Sequence, residues 1–207
     1  WRGDIRITKD TYNHLDYGML ERYVVINSLP VEEYLRGIAE TSEKQQYEKL
    51  KAMALLVKWY VLYYLGENEH PSIPVDAKYD AVDDPRIFQK YVGAGVESLN
   101  VLWKKALRET EDLVITYQGI LPILPYFHCS AGFTWSALEK FGRTDTPYLK
   151  SKLDVATCAA GVFEWHGVWL SWDGAEKLAK KWANFREIIR YFYEGVYILD
   201  LSLIHIW

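Results

Sequence analysis

Cysteine is scarce in this chain, with two residues in 207, Cys129 and Cys158. Two thiols so widely separated make no disulfide scaffold, and their spacing fits neither a zinc finger nor a redox pair. No run of eighteen apolar residues occurs and no charged-then-apolar leader opens the chain, so it contains neither a recognisable membrane span nor a signal peptide. The first residue is Trp1 rather than Met, which reads as a fragment or a mature form, and the missing leader carries no information about export. A basic field is missing too: 24 Lys and Arg stand against 28 Asp and Glu, a net charge of −4 and a pI near 5.8. Nothing here pulls the protein onto a phosphate backbone, and nucleic acid is excluded as an expected partner. The phosphate loop, the paired zinc motif, the Gly-x-Ser-x-Gly elbow and the dinucleotide fingerprint are all absent. So are internal repeats, low-complexity stretches and any linker that would split the chain.

Aromatic residues are abundant, with nine Trp and sixteen Tyr. Indole and phenol faces stack on the apolar faces of sugar rings, but they also fill cores, and composition alone favours the core. At 207 residues and about half apolar, the chain suits one well-filled domain. Ile5 to Asn27, with runs such as "YVVIN", reads as two or three antiparallel strands. Pro30 suits a first helical turn, Glu32 and Glu33 complement its positive end, and Val31, Tyr34, Leu35 and Ile38 keep helical spacing until Gly37 to Thr41. The clearest periodicity runs from Tyr47 to Leu65, where Leu50, Ala54, Val57, Val61 and Tyr64 hold one face, Lys51 and Lys58 share another, and Gly66 is the expected stop.

Asn68 to Val75 reads as loop, and Ala77 to Gly95 as turns with a short strand. Leu99 to Thr110 is expected to be helical, Asp112 to Gly132 strand, turn, strand, and Ala175 to Tyr193 one or two amphipathic helices. Without regular strand–helix alternation, the expectation is an α+β fold: a mixed, mainly antiparallel sheet with packed helices in a single compact domain. That domain is expected over residues 1–200, with residues 201–207 an appended tail of no assigned function.

Several ordered strings then carry a specific pattern. In "VINSLPVEEYLRGIAETSEKQQYEKLKAMALLVKWYVLYYL", Asn27, Leu29, Pro30, Glu33, Tyr34, Leu35 and Gly37 precede a loop Glu, Glu40. A helix with Glu48, Leu50, Lys51, Ala52, Ala54 and Tyr60 follows. Asp84, Gln89, Tyr91, Gly93 and Glu97 form a further string, then come Ala106, Thr110, Thr116, Tyr117 and Gly119, then "PYFHCSAGFT", "PYLKS" and "WHGVWLSWDGAEKLAKK". Together these resemble the stage II sporulation protein D and amidase-enhancer family, from about Arg2 to Ile198. Gly37 and Glu40 are three residues apart, and Lys51 follows eleven residues later, as in that family.

The resemblance implies a lytic transglycosylase acting on peptidoglycan glycan strands, exported to the cell envelope or secreted. It implies Glu40 as catalytic acid, supported by Lys51, Lys58, Tyr148 and Lys150, with Ser130 and His166 of the matching turns completing a substrate-binding set. One acid suffices for such chemistry. A buried carboxyl can hold a proton for the glycosidic oxygen, and the C6 hydroxyl of muramic acid then attacks C1, so no second carboxylate has to activate water. No cofactor or metal is expected. The partners implied are glycan strands and, in the amidase-enhancer branch, a cell-wall amidase that a non-catalytic module would stimulate.

Departures and plainer readings stand beside that expectation. Lys58 replaces an Arg and loses its planar fork, while Trp59 replaces a small residue. Trp169 stands for a Gly and Trp172 for a Gln, which would crowd or rebuild a groove wall. Read alone, Glu40 is a solvated residue near a helix end, Lys51 and Lys58 are solvated charges, and Tyr148 and Lys150 alternate like one strand face. His166 reads as a hydrogen-bonded structural histidine. His128, Cys129, Cys158 and His166 have the chemistry of zinc ligands, and some members of the family are associated with zinc. A Cys129 to Cys158 disulfide is the alternative.

Overall fold

A computed structural model describes residues 2–14, 18–65, 70–97, 99–158 and 166–203. Backbone contacts group into two compact units, one of Trp1–Glu40 with Tyr64–Asn100, the other of Thr41–Tyr63 with Val101–Trp207. The α+β class holds, with three antiparallel strand pairs and one parallel pair among the described residues.

The first unit opens with β1 (Asp4–His14) and β2 (Gly18–Ser28), an antiparallel hairpin in register from Asp4 opposite Ser28 to His14 opposite Gly18. Pro30 leads into α1 (Val31–Arg36), where its missing N–H costs nothing and Glu32 and Glu33 face the positive end of the helix. Gly37 closes the helix, because the Tyr91 ring occupies the space any Cβ there would need. Beyond it, Ile38 bridges Tyr91 antiparallel, the Ala39 amide donates to the Lys90 carbonyl at 2.9 Å, and the Val92 amide donates to the Gly37 carbonyl at 2.9 Å. That short ladder carries Glu40. The turn-rich segment expected after Ala77 is present, ending in one 3₁₀ turn at Ala94–Val96.

In the second unit the main element is α2 (Tyr47–Leu65), whose last two residues belong to the first unit. Lys49, Leu50, Ala52 to Val57, Trp59 and Val61 are buried, as befits a helix that is apolar around most of its circumference. Its expected stop, Gly66, lies outside the described residues. Next come α3 (Val101–Glu109), β3 (Leu113–Thr116), β4 (Tyr126–Phe127), β5 (Phe133–Thr134), α4 (Ala137–Phe141) and β6 (Lys152–Leu153). The chain continues with β7 (Leu170–Ser171), α5 (Trp172–Lys180), α6 (Phe185–Phe192) and β8 (Tyr197–Asp200).

Strand–turn–strand over Asp112 to Gly132 is only half realised. β3 pairs antiparallel with β8 and β4 pairs parallel with β7, so the two do not form a hairpin. Strand propensity marks a segment that fits a sheet, not the partner it meets.

The helix ends of this unit are capped across the chain. Glu43 accepts from the Leu102 and Trp103 amides at 2.7 and 2.8 Å, Glu176 from the Gln46 amide at 3.0 Å, and Glu48 from the Phe185 amide at 2.8 Å. Carboxylates on otherwise unpaired amides satisfy donors the helices cannot, and each such cap contributes about 1 kcal/mol. α5 ends in a Schellman turn, with the Ala183 amide on the Leu178 carbonyl and the Trp182 amide on the Ala179 carbonyl, both at 3.1 Å. Trp182 takes the left-handed position of that turn at φ +78°, which costs a bulky side chain roughly 1–2 kcal/mol.

Candidate functional site

Glu40 is not the solvated helix-end residue of the plainer reading, for only 6% of it is exposed. One carboxyl oxygen, Oε1, accepts from the Lys90 amide at 2.6 Å, while Oε2 is buried with no hydrogen-bond partner among the described residues. Burial raises its pKa above 4.5, against the lowering effect of the Lys90 amide and charge. A carboxyl so placed keeps its proton more readily than one in water, with one oxygen anchored and the other unengaged. Around it the first unit is well braced. The Tyr34 hydroxyl donates to Gln89 Oε1 at 3.1 Å, and the Tyr34 and Tyr91 rings stack at 5.2 Å.

The other six expected site residues belong to the second unit. Lys51 and Lys58 do share a helical face, and both meet groups near the end of α3. Lys51 pairs with Glu48 at 2.5 Å and Glu109 at 3.9 Å, its ammonium near the Tyr47 and Phe185 rings. Lys58 donates to the carbonyls of Thr110, Glu111 and Leu113 at 2.9, 2.9 and 3.0 Å, which uses all three of its protons. Those carbonyls follow α3, where a cation complements the negative helix end. Burial lowers the Lys58 pKa to about 8, with Asp112 and Glu111 opposing the fall. Next to it, Trp59 Nε1 donates to the Ile115 carbonyl at 2.7 Å, so the unusual Lys58–Trp59 pair pins α2 to β3.

Tyr148 and Lys150 do not lie on a strand, since Pro147 and Tyr148 form a turn. Tyr148 is buried, its hydroxyl accepts from the Ile123 amide at 3.0 Å, and burial pushes its pKa well up. Lys150 is exposed and pairs with Glu194 at 3.3 Å. Ser130 is fully buried and donates to Asp154 at 2.7 Å, Ser171 donates to the same carboxyl oxygen, and the Gly132 amide donates to Ser130. These bonds knit the turn after β4 to the start of α5. His166 accepts from the Val168 amide on Nδ1 and faces the Tyr126 carbonyl with Nε2 at 3.0 Å, which requires a proton on Nε2. Burial lowers its pKa to about 4, so the ring is neutral, and both its nitrogens face backbone groups.

Cys129 and Cys158 form a disulfide, with Cα atoms 5.5 Å apart. The bonded sulfurs are lost as zinc ligands, and among the described residues no group of three or more His, Cys, Asp and Glu is placed to hold a metal ion. The cysteines therefore build the disulfide alternative and do not fit a zinc site.

Two features escaped the sequence reading. Lys49 has no exposed surface, its ammonium makes no hydrogen bond among the described residues, and it lies 6.0 Å from the Trp172 ring. Burial lowers its pKa to about 8, against the pull of Glu176 and Asp173. Only its place among the apolar residues of α2 signalled this, and a Lys in such a pattern is ordinarily assigned to solvent. Trp169 is left-handed, at φ +76°, which explains why the family string carries Gly there. Here it is buried, 6.1 Å from both the His166 and Phe141 rings.

Residues 20–117 match the profile of the SpoIID family, described as stage II sporulation protein. Through that segment, which includes Glu40, Lys51 and Lys58, the chain belongs to the family, and the family is linked to cell-wall function. An uncharacterized protein of Brachyspira hyodysenteriae is 32% identical over 145 residues, 69% of this chain and 36% of its own length. The chain thus spans about a third of the curated relative it matches. No helix of the described residues is long and apolar enough to cross a membrane.

Proposed function

We infer that the protein binds peptidoglycan glycan strands and cleaves them without hydrolysis, with Glu40 as general acid and then general base. The observation that carries this reading is the Glu40 carboxyl, buried, anchored through Oε1 by the Lys90 amide and unengaged at Oε2. Protonated at Oε2, Glu40 gives its proton to the glycosidic oxygen as the C1–O bond breaks. The C6 hydroxyl of the muramic residue then bonds to C1, and its proton passes to the Glu40 carboxylate, restoring the acid and leaving a 1,6-anhydro end. No water is consumed. The disulfide agrees with work in an oxidising, extracytoplasmic compartment.

Lys58 and Tyr148 favour a second reading. With its ammonium spent on three carbonyls and its hydroxyl on a backbone amide, neither residue is presented to a substrate. A non-catalytic module that binds the strands and stimulates a cell-wall amidase needs neither. The two readings separate in one experiment, mass spectrometry of soluble products after the protein and its Glu40→Gln variant act on glycan strands with and without stem peptides. Anhydro-muramic ends from the wild type alone support the enzyme. No products from either protein, while both still bind the strands, would leave the module.

A further inference from the structure

Trp182 sits at the tip of the turn between α5 and α6, 95% exposed, in the left-handed position of the Schellman turn. That position ordinarily takes Gly, since only Gly adopts it without steric cost. The structure holds a direct comparison, because Trp169 is also left-handed yet buried at 3% exposure, where packing offsets the backbone cost. Nothing within the described residues offsets it at Trp182. A strained, bulky residue without folded-state contacts points to use outside the fold.

The surroundings say what kind of partner fits. Residues 172–190 carry five cationic side chains against three acidic ones, in a chain of net charge −4. Four of those cations, Lys177, Lys180, Lys181 and Arg190, are exposed against two exposed carboxylates, Asp173 and Glu187, of which Glu187 accepts from the Asn184 amide, while Glu176 holds the Gln46 amide and Lys180. Lys177 and Lys181 are exposed and make no ion pair among the described residues. A bilayer anchor needs an apolar face of several residues, whereas Trp182 is a single large ring between Lys181 and the small Ala183, followed by the helix-capping Asn184. One flat ring with cations beside it suits a pyranose that bears a carboxylate.

We propose that Trp182, Lys177 and Lys181 form a binding surface for a carboxylate-bearing glycan, the indole stacking on a sugar ring and the ammonium groups pairing with its carboxylates. The choice of glycan rests on the cell-wall reading above, but the surface does not depend on catalysis by Glu40. The test is calorimetric binding of the full chain to stem-peptide-free glycan strands at low salt, with melting temperatures measured alongside. Trp182→Gly relieves the backbone and is expected to raise the melting temperature by about 2–4 °C while weakening strand binding about tenfold. Trp182→Phe retains most of the binding, and Lys177→Ala with Lys181→Ala weakens it most at low salt. Binding is read here without any cleavage step, so failure of this surface and failure of Glu40 as the acid are told apart. Undiminished binding by Trp182→Gly overturns the proposal. So does Trp182-dependent binding to phosphatidylglycerol vesicles without any binding to glycan strands.

Discussion

Glu40 is buried and Lys58 half-buried, and the polar atoms of these two ionisable groups meet opposite circumstances. Each proton of the Lys58 ammonium has a carbonyl, whereas Glu40 has one oxygen bonded and one without a partner among the described residues. Satisfied buried groups hold a fold together. Those left partly unsatisfied are costly to keep, and such groups gather where a protein does chemistry. On the function proposed above, that contrast suits Glu40 to act and Lys58 to hold.

The strongest test of that contrast is activity. Glu40→Gln keeps the shape and the Lys90 contact but has no proton to give, and is expected to cut the yield of anhydro-muramic ends by about 10²–10⁴-fold. Lys49 comes next, as a buried cation with neither the partners of Lys58 nor the chemistry of Glu40. Its pKa falls from 10.5 to about 8 on folding. Between those values the unfolded chain binds the extra proton, so stability rises with pH across that window. Lys49→Met is expected to stabilise the fold by roughly 3 kcal/mol at pH 7 and to flatten part of the rise, as denaturant titrations at pH 7 and 10 would show.

Lys58→Ala leaves three carbonyls and a helix end without their cation, and should cost about 2 kcal/mol in the same titrations without removing strand binding. Should Lys58→Ala instead abolish binding at unchanged stability, the contrast breaks. The smallest effect is on the folding of Glu40→Gln. Because the Glu40 pKa is raised above 4.5, the native state binds the extra proton just above that pH, and stability falls as pH rises through the folded value. Glu40→Gln removes that decline, so its melting temperature should exceed that of the wild type at pH 7 but not at pH 4.

Much of the fold was legible in the amino-acid order. Pro30 and Gly37 bracket α1, and α2 covers the residues its apolar spacing predicted, because helix limits and apolar faces are set by neighbours a few positions apart. Pairing was not legible: β3 meets β8, not β4, and Tyr148 lies in a turn. Glu40 was legible as a candidate, from its place three residues after Gly37. Its burial was not, since the Lys90 amide that anchors it lies fifty residues away.

Spacing along the chain by itself determined the α+β class and the main helices, and the ordered strings carried the resemblance to the family. The tertiary structure alone decided which charges are spent. The same α2 spacing that put Lys51 and Lys58 on one face could not say that the end of α3 faces them, or that Lys49 points inward beside Trp172. Left-handed geometry at Trp169 and Trp182 was equally hidden, because a backbone angle is imposed by the turn that closes around it. Local order sets which residues can form an element, while desolvation and hydrogen bonding depend on what arrives from elsewhere in the chain, and only the folded contacts record that.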